Sequence, residues 1–118
     1  MKSIFVFVYG SLKSGHYNHS LLSNSVFVSN HITEPKFTLV DLGAFPAVLS
    51  HGATSIQGEL YKVTEKTLAE LDKLEGYPKY YDRMKILTDV GNAWMYTLVK
   101  GSKDYPVIES GIWNPDEF

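Results

Sequence analysis

There are no cysteines among the 118 residues. That removes disulfide bridges, thiolate nucleophiles and cysteine-bound metal from consideration. Runs of one charge are absent as well. Eleven basic and 13 acidic side chains leave a net charge of −2, with no basic cluster to serve as a footprint for nucleic acid. Long apolar runs are also missing. Lys2 is followed by only six apolar or aromatic residues, Ile4 to Tyr9, before Gly10 interrupts them. A signal peptide needs an apolar core of about 7–15 residues with a small-residue cleavage site, and a membrane-spanning helix needs ~20 apolar residues. The expectation is a soluble, cytoplasmic protein without membrane or nucleic-acid partners. Repeats, linkers and low-complexity segments are lacking too, so residues 1–118 are read as a single domain. A domain of that size buries roughly two-thirds of its unfolded surface without covalent staples.

What is present is apolar and aromatic: 44% hydrophobic and 14% aromatic residues, with eight tyrosines, a composition that favours β structure. The run Ile4 to Tyr9 reads as a strand buried on both faces. It stops at Gly10-Ser11, and Gly15 follows closely. A buried strand breaking into a glycine-flanked loop aims backbone N–H groups into one space, a nest suited to an anionic ligand group. Residues 15–22 have room for one or two helical turns. Ser25 to Ile32 and Lys36 to Leu42 read as strands, the second closed by Gly43. Ala44 to Leu49, interrupted by Pro46, should be an edge strand or a loop packed on the core, and His51-Gly52-Ala53-Thr54 a turn. Ser55 to Val63 is a long strand whose Gly58 marks a bulge or a close backbone approach. Thr64 caps a helix running to Glu75, stopped by Gly76 and Pro78. Tyr80 to Thr88, a turn at 89–92 and Ala93 to Val99 form a hairpin, and an irregular tail opens at Tyr105-Pro106. Six or seven short strands and one good helix make an α+β pattern, a strongly curved sheet or small barrel.

One residue breaks the helix pattern. Leu68 and Leu71 mark the buried stripe, with Leu74 at its margin, and Glu75 falls seven places after Leu68, back in the middle of the stripe. It also sits in the last turn, where the macrodipole disfavours a negative charge. Burial and dipole both raise its pKa, the signature of proton-transfer chemistry in a pocket. Two plainer readings compete: a glutamate at a helix end can turn outward, or it can pair with Arg83. Asp72 and Asp82 read as ordinary solvated residues. Gly10-Ser-Leu-Lys-Ser-Gly15 has the glycine spacing of a phosphate loop, but His16 and Tyr17 stand where that loop needs Lys-Ser/Thr. Ser11 is not in a nucleophile elbow. His16 and His19 lack further ligands at helical spacing, which argues against metal. The Tyr77, Tyr80, Tyr81 cluster is packing, or a set of phenols at a pocket rim.

The order Tyr9-Gly10-Ser11-Leu12-Lys13-x-Gly15-x-x-Asn18-His19-x-x-Leu22 resembles the opening motif of the γ-glutamylcyclotransferase-like superfamily, and within it the γ-glutamylamine cyclotransferase (AIG2-like) branch. The resemblance continues through Phe45-Pro46-Ala47-Val48, Gly58-Glu59-Leu60-Tyr61-Lys62-Val63, and Leu71-Asp72-x-x-Glu75 followed by Tyr80-Tyr81-x-Arg83. It implies a small mixed β-barrel of six or seven strands with flanking short helices. It implies release of 5-oxoproline from γ-glutamyl compounds with neither water nor cofactor. The family's general base matches Glu75 and its substrate cradle matches Tyr9, Gly10, Ser11 and Leu12. Tyr80 and Arg83 are assigned to the substrate site with them, and Tyr77, Tyr80 and the Phe45 segment are expected to set substrate choice. The alternative is a non-catalytic member of the same fold that binds a small carboxylate. The match fades after Tyr105, where Trp113-Asn114-Pro115 can cover one end of the pocket.

Overall fold

The computed structural model describes residues 3–10, 12–13, 19–43, 45–98 and 105–113. Ser11, His16, Tyr17 and Asn114-Pro115, each singled out above, lie outside the described residues. Among the described residues, seven strands are arranged in two sheets. β1 (Ile4–Val8), β2 (Val26–Ile32), β5 (Gln57–Val63), β6 (Tyr81–Thr88) and β7 (Gly91–Leu98) form a mixed sheet in the order β2-β5-β1-β7-β6. β3 (Phe37–Asp41) and β4 (Pro46–Thr54) form the second sheet, and β4 packs against β7. A 3₁₀ turn, His19–Leu22, and one α-helix, α1 (Glu65–Glu75), complete the regular elements. The expected α+β class and strand count are met.

β1 is central because its sequence leaves it no solvent face. It pairs antiparallel with β5 and parallel with β7. Strand alternation sends Val6 and Val8 into one core cluster and Phe7 into the other, and all three are at most 2% exposed. Gly58 is the place where β5 comes up against β1. A Cβ built there would fall inside the Val8 carbonyl oxygen and 2.8 Å from Phe7 Cζ. Of the two readings of that glycine, close approach is the one realised. The irregularity in register lies on β2 instead, between Phe27 and Ser29.

Three expectations change in detail. β4 is longer than the short interrupted segment predicted, with Pro46 as its first residue, where a missing N–H costs no ladder bond. The turn expected at 51–54 is absorbed into β4 as an irregularity: Thr38 pairs with Leu49, but the adjacent Phe37 pairs with Thr54. The tail is tied down more firmly than an irregular segment suggests. Asp41 N–H donates to the Pro106 carbonyl at 2.9 Å, Ile108 N–H to Leu39 at 2.8 Å, and Gln57 N–H to Gly111 at 2.9 Å. These bonds deliver a buried Trp113 to the end of the sheet.

α1 forms where its caps dictate. The Thr64 hydroxyl accepts from Thr67 N–H at 3.1 Å. At the other end Gly76 takes the left-handed conformation, with φ 66°. Its N–H donates to Lys73 O at 3.3 Å and Tyr77 N–H donates to Asp72 O at 2.9 Å, a Schellman closure. Leu71 is fully buried, Leu68 is partly buried and Leu74 is exposed at the margin, as the stripe predicts.

Gly58→Ala tests the β1–β5 approach. It is expected to destabilise the fold by about 1–3 kcal/mol, since the clash is with backbone and a core ring rather than a flexible tip. A urea midpoint equal to that of the unsubstituted protein would contradict the geometry.

Candidate active site

Where β1 ends, the chain passes Tyr9 and turns at Gly10, and the Lys13 N–H closes the turn onto the Gly10 carbonyl at 3.0 Å. Gly10 has no room for a side chain, because a Cβ would stand 2.9 Å from Pro46 Cγ. The Leu12 side chain is buried, and its carbonyl accepts from His19 Nδ1 at 2.9 Å, which fixes the loop to the 3₁₀ turn. Lys13 Nζ donates to the Trp113 carbonyl at 2.9 Å, and burial lowers its pKa against the opposing pull of Glu59. The loop is therefore anchored on both sides.

Facing the loop is a cavity of about 800 Å³. Tyr9, Gly10 and Leu12 form one wall of it, Glu75 and Gly76 the end of α1, and Tyr80, Tyr81 and Tyr96 the β6–β7 side. Of the sequence-predicted site residues, Tyr9, Gly10, Leu12, Glu75 and Tyr80 come together here. Glu75 turns inward and, among the described residues, is the one acidic side chain lining the cavity. Burial pushes its pKa up from 4.5 to about 7. Of the competing readings of Glu75, the outward-facing and Arg83-paired ones both fail.

Arg83 is not among the residues lining the cavity. Its Nε lies 3.0 Å from Asp72 Oδ1, an ion pair whose alignment falls short of a hydrogen bond. Its guanidinium is sandwiched between the rings of Tyr77 at 4.5 Å and Trp94 at 4.3 Å. Asp72, read from the sequence as an ordinary solvated residue, instead has two partners, one in an ion pair and one in a hydrogen bond. Besides Arg83 it takes the Tyr96 hydroxyl on the same oxygen at 2.7 Å. Helix periodicity alone does not reveal this, because the partners come from β6 and β7.

Sequence reasoning also missed Tyr96 as a cavity residue and the hydroxyl partners of the tyrosines it did single out. The Tyr9 hydroxyl donates to the Tyr96 carbonyl at 2.8 Å and accepts from Val48 N–H at 3.3 Å. The Tyr81 hydroxyl donates to the Pro46 carbonyl at 2.9 Å. Tyr9 is held well above its ordinary pKa, first by burial and then by the charges of Tyr81 and Glu75. Tyr96 is raised as well, by burial and then by its bond to Asp72. Tyr9 and Tyr96 stay protonated, and all three phenols act as struts. Among the described tyrosines only Tyr80, 65% exposed at the rim, is largely open to solvent. Phe45 is also exposed there. Among the described residues no group of three or more His, Asp or Glu could hold a metal ion, and no helix is long and apolar enough to cross a membrane.

The raised pKa of Glu75 has a consequence for stability. Between its ordinary value of 4.5 and about 7 the folded state binds the proton more tightly than the unfolded chain. This contribution is complete below the lower value and is lost as pH rises through the upper one. Glu75→Gln, which never ionises, is therefore expected to be more stable than the unsubstituted protein at pH 8, by on the order of 2–3 kcal/mol. At pH 4 the two should unfold alike in urea. Equal stability at both pH values would place Glu75 in water.

Comparison with known proteins agrees with this architecture. The family model described as "Gamma-glutamyl cyclotransferase, AIG2-like" matches residues 6–115. A Vibrio cholerae protein named "Putative gamma-glutamylcyclotransferase" is 43% identical over 108 residues, covering 92% of this chain and 93% of its own. The solution structure of ytfP from Escherichia coli superposes with a TM-score of 0.77 at 33% identity, covering 98% of this chain and all of that one. An AIG2-like protein from Mus musculus shares the fold, with a TM-score of 0.85 at 24% identity over 99% of this chain and 94% of that one. The chain belongs to the AIG2-like γ-glutamyl cyclotransferase family.

Proposed function

We propose that this protein releases 5-oxoproline from a γ-glutamylamine or a related γ-glutamyl compound, with Glu75 as general base. The observation that carries the reading is one carboxyl, half-protonated near neutral pH, standing in the same cavity as the Tyr9–Leu12 loop. The substrate's α-amine attacks its own γ-carbonyl carbon, forming the ring C–N bond as the amide C–N bond to the departing amine breaks. An ammonium group cannot attack. Glu75 takes its proton, and the same proton can then pass to the nitrogen of the departing amine. The ring nitrogen sheds a second proton during closure, which also ends on that amine. No water enters the products.

The loop supplies position. Its amides suit the substrate's α-carboxylate or the oxyanion that develops on the γ-carbonyl, where one aligned donor is typically worth about 10²–10³ in rate. Because the nucleophile is already tethered, holding the substrate folded supplies much of the remaining barrier reduction. The cavity wall is mostly aromatic and aliphatic, which keeps Glu75 from being solvated and its base strength from falling. Tyr80 and Phe45, exposed at the cavity rim, would meet the departing amine and set its choice.

Turnover is tested by 5-oxoproline formation from a panel of γ-glutamylamines and γ-glutamyl dipeptides. On the acid side, kcat/KM should rise about tenfold per pH unit and level off above a midpoint near 7, where Glu75 becomes ionised. Glu75→Gln should lower kcat by at least ~10² while leaving binding in place. Panel members that bind without yielding 5-oxoproline would establish the non-catalytic alternative instead.

A further inference from the structure

Arg83 and its neighbours form a closed ring around the end of α1, just behind the cavity. Arg83 pairs with the Asp72 side chain, and its guanidinium stacks on Tyr77. Tyr77 N–H in turn donates to the Asp72 carbonyl at 2.9 Å. Asp72 is thus gripped through both its side chain and its main chain. Its Oδ1 also accepts from Tyr96, whose own carbonyl holds the Tyr9 hydroxyl, so the ring is continuous with the wall that bears the loop. Glu75 lies between Asp72 and Tyr77, one turn beyond the former.

We infer that Arg83 is a positioning residue, which locks the last turn of α1 against β6 and β7 and so holds the Glu75 carboxyl in the cavity. Four facts carry it. The Arg83 side chain is only 16% exposed, and its guanidinium is committed on its edge to Asp72 and on its faces to two rings, so little of it remains for a substrate. It stands outside the cavity lining. The helix end it grips has an exposed leucine, Leu74, and therefore little apolar burial of its own to fix its orientation. The contact also uses planarity, a property that lysine lacks. Assigning this role to the reaction rests on the proposed function; the placement of the carboxyl does not.

The test uses two variants that preserve net charge, Arg83→Lys and Trp94→Leu, the latter removing one face of the sandwich. The other titratable groups lining the cavity among the described residues, Tyr9, Tyr80, Tyr81, Tyr96, Lys73 and Lys79, are left unsubstituted. The Glu75 pKa is read directly by carboxyl ¹³C NMR titration, which needs no turnover. A freed helix end lets water reach the carboxyl, so the midpoint should fall by at least about one unit from about 7 toward 4.5 in both variants. The acid limb of kcat/KM should move down with it, and kcat should fall roughly tenfold or more from misplacement of the base. Loss of folded protein alone would lower activity without moving either midpoint. An unchanged Glu75 midpoint in a folded variant would overturn the inference. So would loss of amide dispersion in both variants, because a positioning contact leaves the core intact. If no γ-glutamyl compound is turned over, the NMR titration still decides the placement of Glu75, and only the proposed function fails.

Discussion

The constraint on which this molecule depends is a carboxyl kept where electrostatics disfavours it. Glu75 ends a helix, at the negative pole of the macrodipole, and points into an apolar cavity. Either circumstance alone could be relieved by rotating the side chain into water. It is not relieved because the helix end is held by a Schellman closure on one side and by the Asp72 side chain on the other. The free-energy cost of keeping Glu75 in place has to be offset elsewhere. The two core clusters on the faces of β1 are the largest apolar burial available to do it.

The second half of the site depends on close approaches of backbone. Gly58 lets β5 sit against β1, and Gly10 lets the end of β1 run past Pro46. With a side chain at either position, the Tyr9–Leu12 loop would be displaced from the end of α1. The tail works toward the same end. Trp113 is brought to the sheet by bonds to β3 and β5, and its carbonyl holds Lys13, the residue that closes the loop. The loop is thus referenced to the core on one side and to the tail on the other.

How much of this was legible in the sequence varies by element. The β1 strand and the capped helix could be read locally, because each depends on spacing within one segment. Glu75 could be read only as an inward candidate beside two plainer readings, and Gly58 only as a bulge or a close approach, a choice that the partner strand decides. The course of β4 could not be read locally. Pro46 and His51-Gly52 look like breaks, but in a two-stranded sheet one edge is free and an irregular register is tolerated. Asp72 and Arg83 were misread for a related reason. On the helix Asp72 has the profile of a solvated residue, and only the strands that arrive later in the chain turn it into an acceptor. Tyr9, Tyr80 and Tyr81 were offered as site or rim residues, but Tyr96 was illegible, since strand alternation gives a face but not what the face meets.

Those tyrosines explain why a single carboxyl can dominate the chemistry of so aromatic a cavity. Tyr9, Tyr81 and Tyr96 each donate their hydroxyl hydrogen to a protein oxygen, two of them to main-chain carbonyls. What they present inward is mostly ring, rigid and with little rotamer freedom to lose. Burial also holds Tyr9 and Tyr96 protonated, so neither competes with Glu75 as a base at neutral pH. A wall of hydroxyl-satisfied rings excludes water without introducing new acid–base groups. That combination keeps the Glu75 carboxyl poorly solvated. On the proposed function, discrimination among ligands falls to shape and to the open rim, where Tyr80 and Phe45 are exposed.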